Sequence, residues 1–250
     1  MALALNSCHP RADFAHPDLS AESIPPNVVW LDMLDPTAEE IAYVERTTGL
    51  HVPTRDELGE IETSSRLRTE NGALYLSMSM LYGVATNEPQ VTPLGFILTK
   101  DWLITVRFET ITVFDVFKNH VGKPDVVHPS STGAFVGLLE AMVDRFADHL
   151  ERAGAELDDA SHQIFRATPS RSMRRAATER SLRETIRGIG REGDFISKIR
   201  DSLVGVGRIV PFASSRGMGW MPADAHERGF KSRGVEALDE LVQQSGVAIR

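Results

Sequence analysis

The residues of this chain best suited to chemistry are the carboxylates that follow Thr54. Asp56 and Glu57 stand together in the sequence TRDELGEIE that begins there, and Glu60 and Glu62 follow closely. Carboxylate oxygens are hard ligands that suit Mg²⁺, which keeps several of its waters and binds through only one or two protein carboxylates. The segment therefore predicts a divalent-cation site. An ordinary helix N-terminal turn, where acidic side chains favour the positive end of the helix dipole, is the alternative.

A β-hairpin is predicted directly after this acidic segment. The pair Asn71-Gly72 precedes an alternating apolar run, Leu74, Leu76, Met78 and Met80. An Asn-Gly pair favours a tight hairpin, because both central residues of such a turn need a positive φ. We therefore expect the acidic segment to be a short helical turn that leads into a β-sheet.

Short strands and helices surround this hairpin in the sequence. Apolar and alternating runs predict strands over 28–34, 91–99 and 102–108, and periodic runs predict helices over 38–47 and 113–121. This mixture predicts an α/β (α+β) fold in which a mixed β-sheet is flanked by helices.

Two long helices are predicted after the sheet. Apolar residues spaced by threes and fours run from Phe135 to Ile164 and again from Leu182 to Val210, with a break at Thr168-Pro169-Ser170. The first helix is mainly acidic and the second mainly basic, so an antiparallel hairpin would pair their charges. Pro211 is expected to end the second helix, and a final helix is predicted over 235–247.

These patterns divide the chain into three parts. Residues 1–27, rich in Pro, Ala and Asp, are predicted to be a poorly ordered lead-in. Residues 28–130 are assigned to the sheet domain, and residues 131–250 to a long-helix domain that contains the helical hairpin and the start of a further stalk helix.

Composition and motifs exclude several classes of protein. A net charge of −8 argues against nucleic acid as the principal partner. No phosphate-binding loop, nucleophile elbow or zinc-ligand spacing occurs, so an enzyme is not expected. The glycines of 188–193 match a dinucleotide fingerprint, but they lie inside a helical run without the preceding strand that this mechanism requires. No run approaches the roughly 20 apolar residues of a membrane span.

Three sequence blocks carry a resemblance to a known family. Trp30–Thr37, Thr48–His51 and Thr54–Leu67 closely resemble the CorA family of divalent-cation transporters, in the N-terminal cytoplasmic domain of its bacterial magnesium, cobalt and nickel branch. The likeness continues more weakly along the rest of the chain. Composition alone indicates nothing about transport, which is implied by the resemblance only.

The resemblance implies a metal-sensing role for the acidic turn. In this family Mg²⁺ bridges an acidic pair at this turn to a carboxylate on the stalk helix of the neighbouring subunit, and its depletion opens the pore. By position, Glu57 is the best match, with Asp56 beside it and Glu60 adding to the local field. Gly234 stands where the stalk acid is expected, which leaves the substitutes Glu236 and Asp239.

The resemblance also implies partners and a location. The parent protein would be a homopentamer in the bacterial inner membrane, with this domain on the cytoplasmic side, Mg²⁺ as regulator, and Co²⁺ or Ni²⁺ as further transported ions. Family members end in two spanning helices with a Gly-Met-Asn signature, which this sequence lacks, so we expect a regulatory domain that transports nothing by itself and could be monomeric. The alternative is a soluble α/β interaction scaffold with no metal role.

Overall fold

The computed structural model describes residues 3–7, 18–26, 28–60, 66–86, 88–121, 130–166 and 175–216. In chain order these residues form strand β1 (Leu3–Ser7), β2 (Val28–Leu34), helix α1 (Ala38–Thr48), α2 (Arg55–Gly59), β3 (Leu67–Glu70), β4 (Ala73–Tyr82), a 3₁₀ turn (Val84–Thr86), β5 (Gln90–Leu98), β6 (Leu103–Arg107), α3 (Thr112–Val121), α4 (Ser131–Arg166) and α5 (Arg175–Arg216).

The strands form one mixed six-stranded sheet in the order β1-β2-β6-β5-β4-β3. Strands β2 and β6 are parallel, whereas the other neighbouring pairs are antiparallel. One face packs against α1 and α2, and the opposite face packs against α3, α4 and α5. The predicted fold class, a mixed sheet with flanking helices and a long helical hairpin, is confirmed.

The predicted hairpin is present between β3 and β4. Asn71 and Gly72 have φ values of 50° and 80°, so both occupy the left-handed region that the turn requires. Glu70 pairs with Ala73 across the turn. Strand β2 has the predicted bounds, and β5 and β6 lie within one or two residues of theirs.

Within the predicted poorly ordered lead-in, Leu3–Ser7 form the edge strand β1, and the lead-in over residues 1–27 stays a prediction. Leu3 is fully buried and pairs with Met33 of β2. Its backbone N–H donates to Glu40 Oε1 at 3.0 Å, while Glu40 Oε2 accepts the backbone N–H of Thr37 at 2.9 Å and completes the N-terminal cap of α1. One buried carboxylate thus caps α1 and holds β1, and a short strand with such a distant partner has no signal in composition.

The long helices α4 and α5 pack as the predicted antiparallel hairpin, because His149 contacts Phe195 while Glu156 lies beside Glu192. Pro211 does not end α5, which continues to Arg216. A proline inside a helix costs about 3 kcal/mol. Here Val210 and Ala213, on either side of it, are buried against the sheet, and this packing holds the last turn in place.

One hydrophobic core crosses the predicted domain boundary. Side chains of the sheet and side chains of α3, α4 and α5 belong to the same buried cluster, for example Phe96 of β5 against Phe135 of α4 with ring centroids 5.5 Å apart. The division at residue 130 stays a prediction. The predicted break at 168–170 and the predicted helix over 235–247 lie outside the described residues.

The glycines of α5 differ in what surrounds them. The fingerprint glycines, Gly188, Gly190 and Gly193, lie inside the continuous helix. Apart from the adjoining helix backbone and the neighbouring residues, no atom of the described residues comes within 4 Å of the place where a Cβ would stand on any of them. Gly205 instead lies directly on β4, where an added Cβ would stand 2.7 Å from the Cβ of Met78. The absence of a side chain at Gly205 therefore sets how closely α5 approaches the sheet.

We expect Gly205→Ala to destabilise the protein by about 1–3 kcal/mol, because the added methyl group forces α5 away from Met78. Gly193→Ala is the matched control on the same helix: its position is open, and alanine should raise the free energy of unfolding by up to about 1 kcal/mol. Chemical denaturation measures both. Equal shifts of the same sign in the two variants would contradict this close approach.

Candidate functional site

The acidic turn is built by a capping box around helix α2. Thr54 Oγ1 accepts the backbone N–H of Glu57 at 3.3 Å. In return, Glu57 Oε2 accepts the backbone N–H of Thr54 at 2.7 Å and its hydroxyl at 2.9 Å. This reciprocal pair satisfies two backbone donors that the start of a helix leaves open. The sequence Thr-x-x-Glu therefore forms this short helix locally.

A close approach to the sheet fixes the position of α2. Leu58 is buried at 7% exposure, and its Cδ2 lies 2.8 Å from the place where a Cβ on Gly95 would stand. The missing side chain of Gly95 on β5 leaves room for the methyl groups of Leu58 at this point of the strand. The acidic side chains around Leu58 are consequently held on the outer side of α2, away from the sheet.

His51 joins the acidic turn to the end of α1. Its Nδ1 lies 2.9 Å from Glu45 Oε1, and its Nε2 lies 3.3 Å from Glu57 Oε1. Partial burial disfavours the imidazolium, but the hydrogen bonds to Glu57 and Glu45, together with their charges, outweigh it and raise the pKa of His51. Both ring nitrogens donate when the ring is protonated, so the charged form bridges the two carboxylates.

Glu57 itself is held as an anion. The backbone N–H of Thr54 is the largest influence and lowers the pKa of Glu57; burial opposes this, and the Thr54 hydroxyl and His51 add to the lowering. Both oxygens of Glu57 therefore already have partners, His51 and Thr54. In this respect Glu57 differs from a carboxylate whose oxygens contact only a metal ion.

The other predicted site residues fall into two groups. Asp56 and Glu60 are exposed, lie on either side of Glu57 in the turn, and their carboxylates form no hydrogen bond or ion pair within the part of the chain that the structure describes. Glu236 and Asp239 lie outside the described residues. Asp56, Glu57 and Glu60 thus belong to one short segment, helix α2 and its C-terminal cap.

The turn is not a closed metal site. Among the described residues, no group of three or more His, Cys, Asp or Glu side chains could hold a metal ion. Two exposed carboxylates with room for water suit Mg²⁺, which binds reluctantly without its hydration shell and needs few protein ligands. Further ligands would have to come from outside the described residues.

None of the helices described is long and apolar enough to cross a membrane.

Sequence reasoning missed the roles of His51 and Glu45. The available signal was Gly49, whose φ of 70° ends α1 in a left-handed turn. That turn reverses the chain, so that His51 returns beside Glu45 in the last turns of α1. The backbone N–H of Val52 donates to the same Glu45 oxygen at 2.9 Å and fixes the connection.

A second titratable cluster, centred on Asp32, is buried between the sheet and α3. Asp32 is 1% exposed and accepts hydrogen bonds from Thr105 at 2.9 Å and from Arg107 at 3.0 and 2.8 Å. Lys118 Nζ lies 2.6 Å from Asp32 Oδ2. Burial strongly opposes ionisation, but Arg107 and Lys118 together lower the pKa of Asp32 below its ordinary value. The carboxylate is thus paired within the protein, and the cluster serves the fold.

Comparisons with known proteins point to one family. A family model described as "CorA-like Mg2+ transporter protein" matches residues 26–205. The magnesium transport protein CorA of Wolinella succinogenes is 25% identical over 181 residues, which cover 71% of this chain and 53% of that protein. That of Escherichia coli K12 is 23% identical over 139 residues, 56% of this chain and 44% of that protein. The chain spans about half of the length of these curated relatives.

Solved structures share the fold. The soluble domain of CorA from Methanocaldococcus jannaschii superposes with a TM-score of 0.62 and 16% identity, covering 98% of this chain and 91% of that one. The full-length CmaX protein gives 0.64 and 16% identity, covering 99% of this chain and 74% of that one. At this identity the likeness concerns the fold alone.

The bridge through His51 predicts a measurable titration. We expect the pKa of His51 to lie above its ordinary value of about 6.5, and Glu45→Gln to lower it because one anionic partner is lost. The bridge should stabilise the protein below about pH 6.5 and lose this contribution as pH rises through the raised pKa. NMR titration of the ring measures the pKa. Glu39→Gln, an exposed change on the same helix, is the control, and an ordinary pKa in the wild type would rule out the bridge.

Proposed function

Because this chain belongs to the family of CorA-like Mg²⁺ transporter proteins, we propose that it is the regulatory domain of a divalent-cation transporter and that its acidic turn responds to Mg²⁺. The observation that carries the proposal is the pair of exposed carboxylates of Asp56 and Glu60, which are unpaired among the described residues, on a turn fixed to the sheet. The transporter would handle Mg²⁺, with Co²⁺ or Ni²⁺ as further cargo.

In this proposal the three acidic residues of the turn have different roles. Glu57 keeps the turn folded through Thr54 and His51, and its remaining lone pairs add negative field. Asp56 and Glu60 supply the oxygens that meet a hydrated Mg²⁺ ion. Such an arrangement binds weakly through one or two carboxylates and several waters, which suits a sensor that must release its ion when the concentration falls.

The remaining ligands would come from a neighbouring copy of the chain. We propose Glu236 and Asp239 of that copy, in a homopentamer whose parent lies in the bacterial inner membrane with this domain on the cytoplasmic side. With Mg²⁺ between them, the carboxylates of two copies attract the same ion. Without it they repel one another, by about 1 kcal/mol per pair at 4 Å in water and more where water is excluded. This repulsion would separate the copies and open the pore.

The second candidate, an interaction scaffold with no metal role, has its own supporting observation. Ile186 and Ile189 of α5 are 58% and 39% exposed, which places apolar side chains where a partner protein could cover them. Sensitivity to Mg²⁺ separates the two candidates, because a scaffold of this kind would not respond to the ion.

We expect millimolar Mg²⁺ to slow limited proteolysis or to promote association of the wild-type chain. The double variant Asp56→Asn and Glu60→Gln should lose this response, because it removes both outward charges and leaves the capping box intact. Proteolysis time courses and sedimentation velocity, each with and without Mg²⁺ at constant ionic strength, measure the effect.

The matched control for this experiment is Glu70→Gln, which removes an exposed acid paired with Arg68 on β3. It should keep the wild-type response to Mg²⁺. A wild-type chain indifferent to Mg²⁺, or a double variant that responds as the wild type does, would remove the sensor role and favour the scaffold.

A further inference from the structure

A small cavity lies on the face of the sheet opposite to the acidic turn. Its volume is about 160 Å³, and it is bounded by the connection after β4, the start of α3 and the middle of α4. Gly83 and Val84 line it from the connection, and Thr112 and Val113 line it from the first turn of α3. The proposed cation response does not involve this cavity.

The charged side chains that line the cavity are basic. Arg145, His149 and Arg152 reach it from α4, where spacings of four and three residues place them on one side of the helix. Among the described residues, no acidic side chain lines it. This concentration of basic groups stands out in a chain whose net charge is −8.

The basic groups are only partly neutralised. Arg152 Nε donates to Glu156 Oε1 at 2.9 Å, which engages one of the five N–H donors of its guanidinium. Arg145 forms no ion pair or hydrogen bond with any other residue that the structure describes. Since an arginine has five N–H donors in a fixed planar arrangement, both side chains keep donors for a ligand.

His149 experiences the positive field of this cluster. Burial is the largest influence and lowers its pKa, Arg145 and Arg152 lower it further, and Asp148 opposes them. Its ring lies edge-on to Phe195 of α5, with centroids 5.8 Å apart. Other charged groups border the adjoining cavity that His149 also lines, namely Glu156, Arg191, Glu192 and Asp194. An anion in the basic cavity would relieve the repulsion and let the imidazole take up a proton.

The start of α3 adds donors of a second kind. This ten-residue helix begins at Thr112 and has Asp115 in its first turn. The backbone N–H of Phe114 donates to the carbonyl of Ile111 at 3.0 Å, whereas the very first N–H groups of a helix have no partner within it. They also form the positive end of the helix dipole, a common environment for phosphate groups. Two guanidinium groups, an imidazole and a helix start thus converge on one small volume.

We propose that this cavity binds a phosphate group, either as free phosphate or as the phosphate of a monoester. A tetrahedral phosphate dianion can accept hydrogen bonds from several directions at once, and the donors here come from two helices. Arginine side chains also bind phosphate through paired, bidentate hydrogen bonds. Since one water molecule needs about 10–15 Å³ of such volume, the cavity has room for one phosphate group with some hydration. A monoester would extend from its open side into solvent. Binding would join α3, α4 and the connection after β4.

The test is an NMR titration of the wild-type chain with inorganic phosphate, at ionic strength held constant with chloride. We expect saturable shifts of the His149 ring signals and a rise in the pKa of His149 when phosphate is bound. Arg145→Gln, an exposed substitution, should weaken binding about tenfold or more, because a charge-assisted contact is lost. Titration with glycerol phosphate identifies the source: a tighter fit than inorganic phosphate assigns the site to monoesters, and an equal or weaker one assigns it to free phosphate.

The control is Arg187→Gln, which removes an exposed arginine of α5 away from the cavity and should leave phosphate binding unchanged. The proposal is overturned if phosphate and chloride shift the His149 signals equally, or if Arg187→Gln weakens binding as much as Arg145→Gln. Loss of the Mg²⁺ response leaves this result untouched, because the acidic turn lies on the other face of the sheet.

Discussion

The buried carboxylate of Asp32 is the constraint on which the arrangement of the sheet and its helices depends. It lies on β2, accepts from Thr105 and Arg107 of the parallel neighbour β6, and meets Lys118 of α3. Removing one partner of such a buried ion pair typically costs about 3–5 kcal/mol, because the remaining charge is left without compensation. The carboxylate therefore ties β2, β6 and α3 to one another.

The sheet separates the acidic turn from the basic cavity. On one face, Gly95 and Leu58 hold the acidic turn outwards, where Asp56 and Glu60 meet solvent. On the other, α3 and α4 enclose the basic cavity around Arg145 and His149. Both sites are attached to the same strands, so a ligand bound at either site would act on the same sheet. In the two proposals, the acidic turn binds a divalent cation and the basic cavity binds phosphate.

Local signals in the sequence predicted much of this fold, and distant contacts account for what was missed. The Asn71-Gly72 pair fixes its own backbone within a few residues, so the hairpin could be recognised directly. By contrast, β1 depends on Glu40, 37 residues away, and the helical Pro211 is held by packing against the sheet. At the site, the position of the acidic turn was predicted. The engagement of Glu57 by His51 was not, because it arises only when Gly49 reverses the chain.

The central claim, that the acidic turn binds a divalent cation, is tested most directly with Mn²⁺ as a paramagnetic substitute for Mg²⁺ in NMR of the isotope-labelled chain. The account predicts that low concentrations of Mn²⁺ broaden the backbone amide signals of Asp56 and Glu60 first, and that added Mg²⁺ restores them. The exposed acids of α4, including Asp144, Asp148, Asp158 and Asp159, serve as an internal comparison. Broadening that is equal along α4 and the turn, or confined to α4, would contradict the claim.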